Sequence, residues 1–222
     1  MFEPKPSDLT KRKCTVLRGP SSTRPMIWLV ENKDSKAVVK DFSSNSAIFR
    51  NIVGRFLIWR EKRAYKALRG VKGVPQFYGA SGLAIVTQQI PGKNMEQLES
   101  YDMIPPDFFE ALTDLVKRFH ERGIAHCDLK RAPNIILGED GTPYVVDWAA
   151  SISKREFRFF PLDFIYRRFL EDDFIAIIKL KLRHDPESVT PEQKAKYHSR
   201  SRAELVIRSI RDRLRAFLQR IA

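Results

Sequence analysis

The stretch His126-Cys127-Asp128-Leu129-Lys130-Arg131-Ala132-Pro133-Asn134 sets an acid, a base and an amide on a few consecutive turns. A second acid follows one hairpin's length later, in Asp147-Trp148-Ala149. Phosphoryl transfer to a hydroxyl needs this kind of set. One carboxylate orients the nucleophile and accepts its proton; another, with an amide oxygen, holds magnesium on the phosphates; a cation offsets charge on the transferred group. Asp128 suits the base, Asp147 and Asn134 the metal, and Lys130 the phosphate.

The elements that must position these residues can be read from periodicity and turn chemistry. Upstream, residues 107–122 place Phe108, Leu112, Leu115, Val116 and Phe119 on one helical face, which Gly123 closes. Downstream, residues 135–137 and 144–146 read as strands about Glu139-Asp140-Gly141, a hairpin signal. The acid–amide–acid set therefore sits on turns between a helix and a hairpin, where polar side chains converge on clefts.

The first part of the chain is strand-rich. Residues 14–17, 26–31 and 37–40 read as a meander, with a Gly-Pro-Ser loop at 18–25. Residues 48–69 turn helical, with Phe56, Trp59 and Arg63 taken together with Leu57, Ala64 and Leu68 at three-to-four spacing. Gly70, Gly73 and Pro75 stop that helix. Strands at 76–78 and 83–88 follow, joined by Gly79-Ala80-Ser81-Gly82, and Ile90-Pro91-Gly92 ends the run. Helices are expected at 164–182 and 203–221. Strands first and helices later predict an α+β chain of two lobes.

His126-x-Asp128-x-Lys130-x-x-x-Asn134 resembles the protein-kinase catalytic loop, and Asp147-Trp148-Ala149 resembles the metal-binding element that follows it. Val38-Val39-Lys40 is similar to the kinase strand that ends in the nucleotide-anchoring lysine. The resemblance implies a bilobal protein-kinase-like fold, with a small antiparallel N-lobe at 14–87, a hinge at 88–92 and a reduced helical C-lobe at 93–222, after a flexible leader at 1–13. It assigns Lys40 to the α- and β-phosphates of ATP, Glu61 to pairing with Lys40, and the region of Gln88, Gln89 and Ile90 to the adenine edge. ATP and Mg2+ are the cofactors it implies.

Departures from the pattern narrow the family. Only Gly19 stands where main-family kinases carry a Gly-rich phosphate loop; Ser21, Ser22 and Thr23 offer hydroxyls or amides instead. Trp148 and Ala149 replace the usual Phe and Gly, and no Ala-Pro-Glu motif follows Asp147. The usual activation segment and peptide-docking helices are thus expected to be missing. In these respects the chain is similar to small bacterial Ser/Thr kinase-like proteins, to RIO-type atypical kinases and to lipopolysaccharide-core sugar kinases. Lys130 points to a protein Ser/Thr acceptor; the missing docking region and basic C-terminus point to a glycolipid sugar. A nucleotide-binding pseudokinase is the alternative that the poor loop and Ala149 raise.

Bulk properties agree with a folded domain. The 222 residues are 43% hydrophobic with 15 Phe, enough for a sizeable core. Net charge is +13, a field that draws nucleotides or anionic surfaces. Two cysteines make no disulfide framework, which suggests a reducing cytoplasm. Ile207, Ile210, Leu214, Phe217 and Ile221, interleaved with arginines, form a basic amphipathic pattern suited to the inner face of a membrane. No RNA-binding motif supports nucleic acid. Ser151 and Ser153 are candidate autophosphorylation positions, and His184 and His198 lie in polar sequence.

Overall fold

The computed structural model describes residues 13–32, 35–98, 104–159 and 162–198. The expected leader and the amphipathic pattern at 203–221 fall outside them, apart from Lys13. The described residues form two compact units, one of 13–62 and 76–89, the other of 63–75 and 90–198.

The first unit is built on one sheet. Strands β1 (Lys13–Arg18), β2 (Met26–Asn32) and β3 (Ser35–Asp41) form an antiparallel meander. Strands β4 (Phe77–Ser81) and β5 (Ala84–Gln88) return beside it, giving the order β1-β2-β3-β5-β4. Alternation along β3 buries Ala37 and Val39 with Val30 and Val86, so Lys40 points to the other face. The stretch Gly79 to Ser81, expected as a loop, belongs to β4: a register shift between Phe77 and Gly79 keeps the pairing with β5. Glycine absorbs that irregularity, which is why the sequence resembles a turn.

Helix α1 (Ala47–Phe49) runs through a π turn (Arg50–Gly54) into α2 (Arg55–Ala67). Phe42, Phe49, Val53 and Ile58 form the core beneath them. Gly54 lies against Phe42, where a Cβ would stand 3.1 Å from the phenylalanine's own. The expected face of α2 is corrected here. Phe56 and Trp59 are 49% and 50% exposed, whereas Ile58, Glu61, Ala64, Tyr65 and Leu68 are buried. A glutamate on the buried side and aromatics on the wet side defeat a reading by hydrophobic periodicity.

The second unit is helical around two small sheets. Strands β6 (Gly92–Asn94), β8 (Ile135–Gly138) and β9 (Pro143–Val145) form one; β7 (Ile124–Ala125) and β10 (Ile152–Ser153) form the other. β6, β7 and β10 are too short to leave a period in the sequence. Helix α3 (Phe108–Glu121) buries the expected face of Phe108, Leu112, Leu115, Val116 and Phe119. Trp148 is fully buried, with Phe119 and His126 each 4.7 Å from it by ring centroid and Tyr65 at 6.5 Å. That packing draws residues 63–75 into the second unit, although the sequence placed them in the N-lobe. Helices α4 (Leu162–His184) and α5 (Pro191–His198) complete it. His184, expected in polar surroundings, is buried with no hydrogen-bond partner for Nε2. No helix among the described residues is long and apolar enough to cross a membrane.

Candidate active site

The turn after β7 carries His126, Cys127 and Asp128, and it is held from behind by a buried carboxylate on α4. Asp173 accepts from the backbone N–H of His126 at 2.8 Å and of Cys127 at 2.9 Å, and His120 Nε2 lies 3.1 Å from it. Burying a carboxylate is costly unless its lone pairs are met, and here several donors meet them. Cys127 takes φ 67°, the left-handed region that costs a non-glycine residue about 1–2 kcal/mol. The two N–H bonds to Asp173 hold it there. Asp173 was not singled out by the sequence, since its partners are main-chain groups remote in the chain. One signal was present: it falls on the buried stripe of α4 with Tyr166, Ile177 and Leu180.

His126 ties the turn to the next segment. Its Nδ1 accepts from the Asp128 N–H at 3.3 Å and its Nε2 lies 3.1 Å from the Val146 carbonyl; a tautomer protonated on Nε2 satisfies both. Asn134 donates through Nδ2 to the Asp128 carbonyl at 3.0 Å, and its own carbonyl accepts from Val146 N at 2.9 Å. Asp128, Asn134 and Asp147 are thereby brought onto one hydrogen-bonded frame within the second unit.

The Asp128 side chain is 22% exposed. Burial pushes its carboxyl above the ordinary carboxylate value, and the neighbouring Asp147 charge adds to this; Arg131, His126 and Lys130 pull it part of the way back. Arg131 Nη1 stands 3.7 Å from Asp128 Oδ2. A carboxylate of raised basicity beside cations is suited to accepting a proton.

Asp147, in the turn after β9, takes φ 65°, a second left-handed non-glycine position. Because Nδ2 of Asn134 is committed to Asp128, its Oδ1 is the atom left for a cation. A carboxylate and an amide oxygen are hard donors that suit magnesium. Among the described residues no group of three His, Cys, Asp or Glu could hold a metal alone. Magnesium would fit this site as it does where one or two protein oxygens share it with phosphate oxygens.

In the first unit, Lys40 Nζ lies 2.9 and 2.8 Å from the two carboxylate oxygens of Glu61, a bidentate pair. Both side chains are nearly buried, at 11% and 3% exposure. Such a pair adds little net stability but fixes where the ammonium stands.

Comparison with known proteins follows the same lines. The RIO domain model matches residues 31–194, most of the chain. The chain belongs to the RIO domain family. Its fold is similar to that of the Rio2 kinase from Chaetomium thermophilum, at 19% identity and a TM-score of 0.59 over 82% of this chain. A second structure of that kinase, described as its ADP/Mg2+-phosphoaspartate complex, matches at 20% identity and a TM-score of 0.56, again over 82% of this chain. This chain spans 61% and 60% of the length of those two.

Three further features bear on the sequence reading of this RIO domain. The amides of Gln88 and Gln89, expected near adenine, already donate to Gln76 O at 2.8 Å and Lys36 O at 3.2 Å. Strand pairing takes those two N–H groups, which leaves the role expected of the Gln88, Gln89 and Ile90 region to its other backbone groups. The loop between β1 and β2, poor in glycine, is pinned from below: Asn45 Nδ2 lies 2.7, 3.1 and 3.2 Å from the carbonyls of Ser21, Ser22 and Arg24. Ser151 and Ser153 are buried and engaged, Ser151 Oγ donating to Trp148 O at 2.6 Å and Ser153 forming a capping box with Glu156. Neither hydroxyl is presented for phosphorylation in this state.

Proposed function

We propose that this RIO domain is an ATP- and magnesium-dependent phosphotransferase that moves the γ-phosphate to a hydroxyl, most readily Ser or Thr of a protein. The observation that carries the proposal is the hydrogen-bonded frame that joins Asp128, Asn134 and the turn bearing Asp147. Asp128 accepts the hydroxyl proton, helped by its raised basicity. Asn134 Oδ1 and the Asp147 carboxylate would hold magnesium, which would supply charge neutralisation on the phosphates. Lys130 neutralises the transferred group, and Lys40, steadied by Glu61, holds the α- and β-phosphates. We place the reaction in the cytoplasm, on the strength of the cysteine usage.

A second reading has a specific support. One similar kinase structure is described as a phosphoaspartate complex. By that analogy an aspartate of this chain would take the phosphate first and water would release it, making the domain a phosphate-releasing ATPase.

Following γ-labelled ATP with magnesium separates the readings. Alkali-labile, hydroxylamine-resistant label on protein serine or threonine supports the first. Hydroxylamine-sensitive label on the chain itself supports the second. Label on purified glycolipid names a sugar acceptor. Nucleotide binding without transfer, unchanged in Asp128→Ala, would leave a pseudokinase.

A further inference from the structure

The turn that follows α3 and the 3-10 turn at Lys154–Phe157 face each other within the second unit. They are tied by the β7–β10 pair and by the Lys154 N–H donating to Gly123 O at 2.8 Å. Between them lies a cavity of about 280 Å3 lined by Arg122, Lys154, Arg155 and Arg158, with Glu121 the one acid on its wall.

The frame around these cations is firm. Ser153 and Glu156 close a capping box, and Glu156 also meets Arg63 at 3.0 Å. Phe157 turns inward onto Tyr166 and Phe169. The acid of this turn is thus engaged on the other side, and the basic side chains project outward from a fixed base.

Arg155 and Arg158 stand three apart across a turn whose period is three, so their side chains lie one above the other. Like charges so placed repel. Among the described residues no acid forms an ion pair with Lys154, Arg155 or Arg158, and Arg122 makes only a long contact, 3.5 Å, to Ala67 O. The backbone N–H of Ser153 and Arg155 are taken by the capping box, which leaves side chains alone to define the site. Guanidinium forks match the oxygens of a tetrahedral anion.

We infer that this cavity binds a phosphate monoester dianion. The cations surround one hollow instead of running in a line, so a compact doubly charged group fits them better than a polymer backbone. None of these residues belongs to the set proposed for nucleotide chemistry, and the inference stands apart from that reading.

The test is an amide-resolved NMR titration of the full chain, without magnesium, with O-phosphoserine, inorganic phosphate and serine as probes. The inference expects saturable shifts at Gly123, Lys154 and Arg155 with both phosphates and none with serine. Equal affinity for the two would name free phosphate as the source, and tighter binding of O-phosphoserine a phosphorylated side chain. The Arg155→Gln/Arg158→Gln variant should weaken binding by about tenfold or more, since two charge-assisted contacts are lost. Should that variant lose its dispersed spectrum, Lys154→Gln gives the same test at smaller amplitude. Shifts confined to residues around Asp128 and Asp147, no saturation in the millimolar range, or unchanged affinity in the variants would overturn the inference. So would tighter, salt-sensitive binding of a single-stranded oligonucleotide at the same amides, which would assign the patch to nucleic acid.

Discussion

At the scale of residues, the proposed reactivity depends on how the fold raises the basicity of one aspartate. Burial and Asp147 raise Asp128, and three cationic or polarisable neighbours restrain it. Activity that needs the deprotonated base must therefore rise with pH along a limb placed above the ordinary aspartate value of 3.8. Arg131 stands on the restraining side. Replacing it in Arg131→Gln should move that acid limb to higher pH while leaving the plateau rate nearly intact. A pH–rate profile for kcat/KM reads this directly, and an unmoved or down-shifted limb would contradict it. These residues were legible because their chemistry is local: Asp128, Lys130, Asn134 and Asp147 stand in an order that the sequence displays. Asp173 and Asn45 were not, because each works by binding main-chain groups far away in sequence. Such partners leave no mark in composition.

At the scale of elements, helix α4 is what holds the turn that carries Asp128. Asp173 converts a helix position into a clamp on two backbone N–H groups. Asp173→Asn would point an amide at donors that need an acceptor, costing about 1–3 kcal/mol of stability. As a positioning residue it should lower kcat more than it raises KM for ATP. A variant with wild-type kcat and melting temperature would show that the clamp is idle. Helix α2 gives a second test, of the corrected face. Ile58→Ala, on α2 and buried but outside the face read from periodicity, should cost about 2–5 kcal/mol. Phe56→Ser, on the face read from periodicity but half exposed in the structure, should cost about 1 kcal/mol at most. Chemical denaturation of both variants checks the pair, and similar losses at the two sites would restore the face read from periodicity. The meander, α3 and the β8–β9 hairpin were legible because each has a full period or a named turn. Two-residue strands such as β7 and β10 exist only through their partners.

At the scale of the whole molecule, the residues proposed for phosphoryl transfer are distributed over the two units. Each of the two units is internally consistent: a sheet that carries Lys40 and a helix that brings Glu61 in the first, a frame of turns around Asp128 in the second. Sequence foresaw an α+β kinase-like fold, and the RIO domain match and the likeness to Rio2 kinase bear that out. Residues 63–75, read from the sequence as part of the N-lobe, group with the second unit, where Tyr65 packs on Trp148 far along the chain.

The central claim is that Asp128 is held in the fold for its proton chemistry and not for stability. A carboxyl whose folded value is raised adds stability below its unfolded value and loses it as pH rises through the folded one. An ionised Asp128 is therefore a burden on the fold that Asp128→Asn removes. Paired measurement of ATP turnover and melting temperature at neutral pH decides the matter. Turnover should fall by about a hundred- to ten-thousandfold, with a melting temperature equal to or above that of the wild type. Turnover within a few-fold of wild type, or a clear drop in melting temperature, would contradict it.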